Sequence, residues 1–241
     1  TVIDETDKSM LENVNLYKHL QQDYKEYIEL WIHEIKLPIS TSKLIIENNT
    51  NSVTQSIDEE LDKIDNYIEQ ALFYARSNTV EKDYIIKRVN LTNIVNEVVK
   101  KNKNILIQKD VKIKIENVDM EVYTDSKWCL FILNQIVQNS INYFDKEEKV
   151  LEFSCIERKE AVELTITDNG MGINKEEVGR VFEKGFTGTN GRNKNKKSTG
   201  IGLYLCKKLC IKLNLDIKIK SNKPEGTQVL IVFPKGSYNI I

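Results

Sequence analysis

Between Met10 and Ile35 the apolar side chains return in alternating steps of three and four: Met10, Val14, Tyr17, Tyr24, Ile28, Trp31 and Ile35, with Gln21 the one polar member. That spacing gathers one stripe on a helix and predicts a coiled-coil seam. With Val14, Gln21, Ile28 and Ile35 at a positions and Tyr17, Tyr24 and Trp31 at d, His33 falls at f, facing away from the seam, and should be exposed. A second run, Ile57, Leu61, Ile64, Ile68, Ala71 and Ala75, repeats the pattern and ends before Ser77-Asn78. Two antiparallel helices joined near residues 48–52 make a hairpin. A lone hairpin cannot bury both faces of its seam, so a second copy completing a four-helix bundle is expected, and the chain should be a homodimer.

A length of 241 residues exceeds the roughly 100–200 of one domain, so two domains are expected. The 35 basic and 36 acidic side chains leave a net charge of -1, which argues against a surface built to neutralise nucleic-acid phosphates. At 40% hydrophobic residues the chain reads as globular. The longest apolar run, 229–233, is far short of the roughly 18 residues that span a bilayer, and residues 1–8 carry no secretory-signal pattern. No initiator Met is present, which suits a fragment. Cys129, Cys155, Cys206 and Cys210 form no Cys-x-x-Cys pair, and reduced, buried thiols in a reducing setting are expected.

From residue 84 the pattern changes to short β-rich runs between helical ones. Strands are expected at 84–89, 111–116, 150–156, 162–167, 215–220 and 228–233, and helices at 91–103, 126–143, 175–181 and 200–212. This mixture predicts a sheet with helices on one face. The domains are therefore a helical hairpin at 1–78 and an α/β unit at 84–241.

Five short stretches carry chemistry. In Gln135-Ile136-Val137-Gln138-Asn139-Ser140-Ile141-Asn142-Tyr143, the residues Gln135, Asn139 and Asn142 or Tyr143 fall on neighbouring helical turns. Asp168-Asn169-Gly170-Met171-Gly172 ends a strand, where Gly170 and Gly172 permit close backbone approach and the carboxylate can accept from an amine. Ser198-Thr199-Gly200-Ile201-Gly202-Leu203 is a glycine turn opening a helix, whose free N–H groups favour phosphate. Gly226-Thr227 precedes the last strand. Around His33 the sequence reads Trp31-Ile32-His33-Glu34-Ile35-Lys36-Leu37-Pro38; Pro38 should bend the helix one turn after the histidine, and Leu37 rules out a His-Glu-x-x-His zinc site. On spacing alone His33 is an ordinary surface histidine.

In their order and spacing these stretches resemble sensor histidine kinases of two-component systems. The resemblance covers nearly the whole chain. Trp31-Ile32-His33-Glu34-Ile35-Lys36, Thr124-Asp125-Ser126-Lys127-Trp128 and Arg180-Val181-Phe182-Glu183-Lys184-Gly185-Phe186-Thr187-Gly188 are similar to the intramembrane-sensing kinases that work with bacitracin-type peptide ABC transporters. It implies an α+β fold: a dimerising hairpin, a four-helix bundle in the dimer, followed by a Bergerat (GHKL) α/β-sandwich ATP-binding domain. It further implies that the chain is the cytoplasmic part of a bacterial membrane sensor, with its transmembrane helices absent from this sequence. In function it implies autophosphorylation of His33 and transfer to an Asp of a response regulator in antimicrobial-peptide sensing and resistance, with a transporter as partner through the membrane region.

The same resemblance implies that Glu34 acts as general base, that Asp168 binds the adenine amine, that Tyr143 packs on the base and that Asn139 binds Mg²⁺. Gln135, Asn142, Gly170, Gly172, Thr199, Gly200, Gly202, Leu203 and Thr227 complete the ATP site. Residues 182–198, with Arg192, Lys194, Lys196 and Lys197, read as an ATP lid, in which Lys184 and Arg192 are assigned to phosphate. There are departures. Gln135 stands where many relatives have Asn, and Asn142 where many have a phosphate-binding Lys. Leu37 stands where many have a Thr or Asn that orients water, which predicts weak phosphatase activity. Gyrase- and MutL-like ATPases carry a Glu at the place of Gln135, which cannot serve as a general base, so phosphoryl transfer is favoured over hydrolysis. A nucleotide-binding but inactive kinase and a plain ATPase are the competing readings.

Overall fold

A computed structural model of the chain describes residues 2–49, 51–78, 84–189 and 199–236, with side chains left aside at 2–8 and 52. The chain divides into two compact units, 1–83 and 84–241.

The first unit is a pair of helices, α1 (Val2–Glu47) and α2 (Ser52–Asn78). The turn between them is built from amides. Asn51 Oδ1 accepts from the backbone N–H groups of Val53 (2.9 Å) and Thr54 (3.0 Å), and Thr54 Oγ1 accepts in return from Asn51 N (2.8 Å). This reciprocal cap satisfies donors that the first turn of α2 would otherwise leave open. One buried apolar cluster of the hairpin holds Ile32, Ile39 and Ile68, with Ile28, Ile35, Leu61 and Leu72 packed against them. The stripe on α1 is thus offset from the expected one. Ile28 and Ile35 belong to both, but Ile32 is 5% exposed whereas Trp31, expected in the seam, is 56% exposed. On α2 likewise, Ile68 and Ala75 are buried while Ile57 and Ile64 stay exposed. Ion pairs cross between the helices: Lys43 Nζ reaches Asp62 (2.6 Å) and Asp65 (2.7 Å), and Arg76 Nε reaches Glu29 (2.7 Å).

Helix α1 runs through Pro38 without ending. One turn later Ser40, Thr41 and Ser42 donate their hydroxyls to the carbonyls of Lys36, Leu37 and Pro38 at 2.9, 3.1 and 2.8 Å. These acceptors lie beyond the Glu34 carbonyl, the one whose intrahelical donor Pro38 removes.

The second unit holds β1 (Lys87–Asn90), α3 (Leu91–Lys101), α4 (Lys103–Gln108), β2 (Val111–Glu116), β3 (Glu121–Thr124), α5 (Ser126–Tyr143), β4 (Lys149–Glu157), β5 (Ala161–Asp168), α6 (Lys175–Val178), α7 (Gly202–Lys212), β6 (Asp216–Asn222) and β7 (Gly226–Pro234). Strands β1 and β3 pair antiparallel. The other five form one sheet in the order β2-β4-β5-β7-β6, parallel only between β2 and β4. Every second residue of β5 is buried, Val162, Leu164, Ile166 and Asp168, which marks a sheet with one covered face. The core that covers it includes Phe131, Ile132, Leu133, Ile136 and Ile141 of α5 and Leu205 and Leu209 of α7. All four cysteines lie in this unit, free and buried. The short β3 and the separate α4 were not expected from the sequence.

Candidate functional site

Asp168 continues the buried face of β5 to its last residue, which carries a carboxylate to the end of the sheet beneath α5. Three donors meet it. Ser140 Oγ, from α5, donates to Oδ2 (2.8 Å), while the backbone N–H groups of Gly170 (3.0 Å) and Thr227 (3.2 Å) donate to Oδ1. Burial pushes the Asp168 carboxyl above its ordinary value, against the opposing pull of these three bonds and of Lys146. A carboxylate offers about four acceptor sites, so Oδ2 keeps one for a further donor such as an exocyclic amine.

The surroundings of Asp168 are held by backbone at close range. Gly226 has φ +120, and a Cβ there would lie 2.0 Å from the Asp168 carbonyl oxygen, so β7 can meet β5 at this level only with glycine. The Tyr143 carbonyl at the end of α5 accepts from Met171 N (3.1 Å), tying α5 to the buried Gly170 and Gly172. Asn169 fixes the other side, accepting from Val150 N (2.9 Å) and donating to the Glu148 carbonyl (2.8 Å). Ser221 Oγ accepts from Ile173 N (2.9 Å), donates to the Gly226 carbonyl (2.7 Å) and lies 3.0 Å from Thr227 Oγ1.

On α5, Gln135 is buried, Asn139 and Tyr143 are half-buried and Asn142 is exposed, so the expected face emerges gradually toward the helix end. Among the described residues no three His, Cys, Asp or Glu side chains converge to hold a metal. A Mg²⁺ bound chiefly through nucleotide phosphates and water needs only one or two protein oxygens, and the amide of Asn139 is chemically suited to supply one.

Helix α7 starts at Gly202 with no side-chain cap, and Thr199 Oγ1 accepts from Ile201 N (3.3 Å) just before it. Among the described residues no side chain caps its first turn, whose N–H groups, including those of Gly202 and Leu203, suit an anion. Gly200 adopts φ +64, and its carbonyl accepts from Gly185 N (3.0 Å). Lys184 is exposed; Arg192, with Lys194, Lys196 and Lys197, lies outside the described residues. In the first unit, His33, Glu34 and Leu37 are all exposed on α1.

The structure thus gathers Asp168, Gly170, Gly172, Tyr143 and Thr227 at one end of the sheet. Sequence reasoning missed Ser140 as a ligand of Asp168 and the Thr227 N–H as a donor to it. Ser140 stands one residue off the face read through Asn139 and Asn142, but as a small polar residue on the helix face shared with the buried Ile136, Val137 and Ile141 it carried a signal.

Residues 124–237 match the family described as histidine kinase-, DNA gyrase B-, and HSP90-like ATPases. Among curated proteins the chain is 35% identical over 209 residues to the sensor histidine kinase YxdK of Bacillus subtilis, covering 86% of this chain and 64% of that protein. It is 33% identical to the sensor protein BceS of Halalkalibacterium halodurans, covering 90% and 64%. It is also 32% identical to the sensor protein kinase GraS of Staphylococcus aureus, covering 88% and 61%. The chain therefore spans somewhat less than two thirds of these relatives. Among solved structures, the histidine kinase AdeS of Acinetobacter baumannii aligns with a TM-score of 0.61 at 18% identity, over 85% of this chain and 98% of that one. The mycobacterial sensor histidine kinase MprB aligns at 0.54 and 20%, over 62% and 97%. These two show the shared fold.

Proposed function

From these likenesses we propose that the chain is a sensor histidine kinase that binds ATP in its second unit, phosphorylates its own His33 and passes the phosphoryl group to an Asp of a response regulator. The observation that carries the nucleotide part is Asp168, a buried carboxylate at the sheet end, gripped by Ser140, Gly170 and Thr227 with one acceptor site left over. An adenine amine suits that site, and Tyr143 beside it supplies a ring for the base. The uncapped turn of α7 suits phosphates.

Exposure of His33 leaves its imidazole accessible as a nucleophile. Neutral imidazole attacks through one nitrogen while the other holds its proton, and Glu34, the next residue, is the carboxylate assigned to receive it. Mg²⁺ would neutralise phosphate charge, with Asn139 as the protein oxygen that holds it. Little covalent chemistry is then asked of the second unit beyond positioning.

The reading extends to a homodimer through the exposed apolar side chains of the hairpin, to a response regulator receiver domain, and to antimicrobial-peptide sensing with an ABC transporter. The last rests on the resemblance in residues 31–36, 124–128 and 180–188. Among the described residues no helix is long and apolar enough to cross a membrane; attachment to the cytoplasmic face of a bacterial membrane through further helices is part of the same proposal.

Incubation with γ-labelled ATP and Mg²⁺ tests the chemistry. Acid-labile label on the wild type that disappears in His33→Gln is expected. Label that persists in His33→Gln removes the histidine assignment, and multiple-turnover hydrolysis without protein label favours a plain ATPase.

A further inference from the structure

We propose that Glu177 is a positioning residue for nucleotide binding, clasping the chain at Gly188 and Thr189 so that the glycine turn before α7 is held ready for phosphate. The inference rests on the ATP-binding reading above. Glu177 sits on the short α6 and divides its carboxylate between the two polar groups of one residue. Oε1 accepts from Thr189 N (2.8 Å) and Oε2 from Thr189 Oγ1 (3.2 Å). Asn174 supports the pair, donating to Thr189 Oγ1 (3.1 Å) and, at the limit of range, to Glu177 Oε2 (3.5 Å). Gly188 is fitted to the contact, since a Cβ there would stand 2.9 Å from Glu177 Oε2.

Four residues before Thr189 the chain touches the turn that opens α7. Gly185 N donates to the Gly200 carbonyl (3.0 Å), and a Cβ on Gly200 would come within 2.5 Å of the Gly185 carbonyl carbon. Between the two fastenings the Arg180 guanidinium lies 4.6 Å from the centre of the Phe186 ring, and Arg180 Nε donates to Glu183 (3.1 Å). Residues 185–189 are thus held at one end by Gly200 and at the other by Glu177. Charge-assisted bonds to a carboxylate are stronger than neutral ones, although exposure of Thr189 moderates them. Ordering this stretch before nucleotide arrives reduces the entropy lost on binding, which is how a residue remote from phosphate raises affinity.

Titration of the full chain with a fluorescent trinitrophenyl ATP analogue, alongside thermal unfolding, tests the clasp. Glu177→Ala should bind about tenfold more weakly, the scale of losing two charge-assisted hydrogen bonds softened by solvent, with Tm unchanged. Glu177→Gln should recover to within about threefold, because its amide oxygen still accepts from Thr189 N. Thr189→Val should weaken binding alone but add nothing in the Glu177→Ala background. Unchanged affinity in Glu177→Ala, additive effects of the two changes, or a loss of affinity that follows a loss of Tm overturns the clasp while leaving ATP binding intact. A wild-type chain that fails to bind the analogue overturns the ATP reading itself, and the clasp with it.

Discussion

At the scale of the residue, Asp168 shows how one buried carboxylate can serve structure and recognition with different atoms. Oδ1 is occupied by two backbone N–H groups, and Oδ2 by one hydroxyl only. Asparagine could keep that structural set: its carbonyl oxygen accepts from Gly170 and Thr227, and its amide donates to the Ser140 oxygen. What it loses is the remaining acceptor on Oδ2. Asp168→Asn should therefore fold with an unchanged or raised Tm and bind nucleotide at least about tenfold more weakly, by calorimetric titration. The pH dependence has a definite sign. Burial raises the folded-state value of this carboxyl above its unfolded one, so between the two values the folded chain binds more protons and this group's contribution to stability falls as pH rises. Nucleotide affinity should move the other way, declining on acidification at a higher pH than an ordinary aspartate would set, and Asp168→Asn should lose that decline.

At the scale of the element, the close approach of Gly200 to Gly185 gives the sharpest contrast. Gly200→Ala places a side chain at φ +64 and within 2.5 Å of backbone that cannot give way, whereas Gly179→Ala meets nothing within 4 Å. A non-glycine residue in that left-handed conformation costs about 1–3 kcal/mol before any clash is counted. Chemical denaturation should show Gly200→Ala destabilised by at least that much and Gly179→Ala close to wild type. Elements of this kind were legible to different degrees. Strands β2, β4, β5 and β7 announced themselves through runs of β-branched residues, and α5 fell at the expected bounds. Strand β3 escaped because four residues give too short a pattern, and it is defined by pairing with β1 rather than by its own composition. Helix α4 was not expected because Asn102, where it parts from α3, is buried, donating to the Val98 carbonyl (2.9 Å) and to Asn134 (2.8 Å), which no periodicity displays. The hairpin stripe was read one residue off. Ile28 and Ile35 fit both stripes, and one residue rotates a helix by about 100°, so the pattern could not say which flank faces α2. The contact of Glu177 with Thr189 bridges twelve residues of irregular chain and left no mark in spacing.

At the scale of the molecule, the offset stripe leaves Tyr17, Tyr24 and Trp31 on α1 and Ile57 and Ile64 on α2 exposed in the single chain. Apolar residues recurring at seven-residue intervals on both helices form a second, unsatisfied face, and a second copy offers the same face in return. Light scattering after size exclusion should give twice the chain mass of 28.0 kDa, and Trp31→Glu combined with Ile64→Glu should return it to one. A wild type that stays monomeric at micromolar concentration counts against the bundle. The burial of Cys129, Cys155, Cys206 and Cys210 has a practical sequel. Burial drives all four thiols upward, Cys155 to about 11 and Cys210 to about 12, so at neutral pH the native chain presents almost no reactive thiolate. A cysteine introduced at exposed Thr189 or Lys184 would then be labelled selectively against a silent background, making the chain a ready substrate for site-directed fluorescence or spin probes with its native sulfurs left in place.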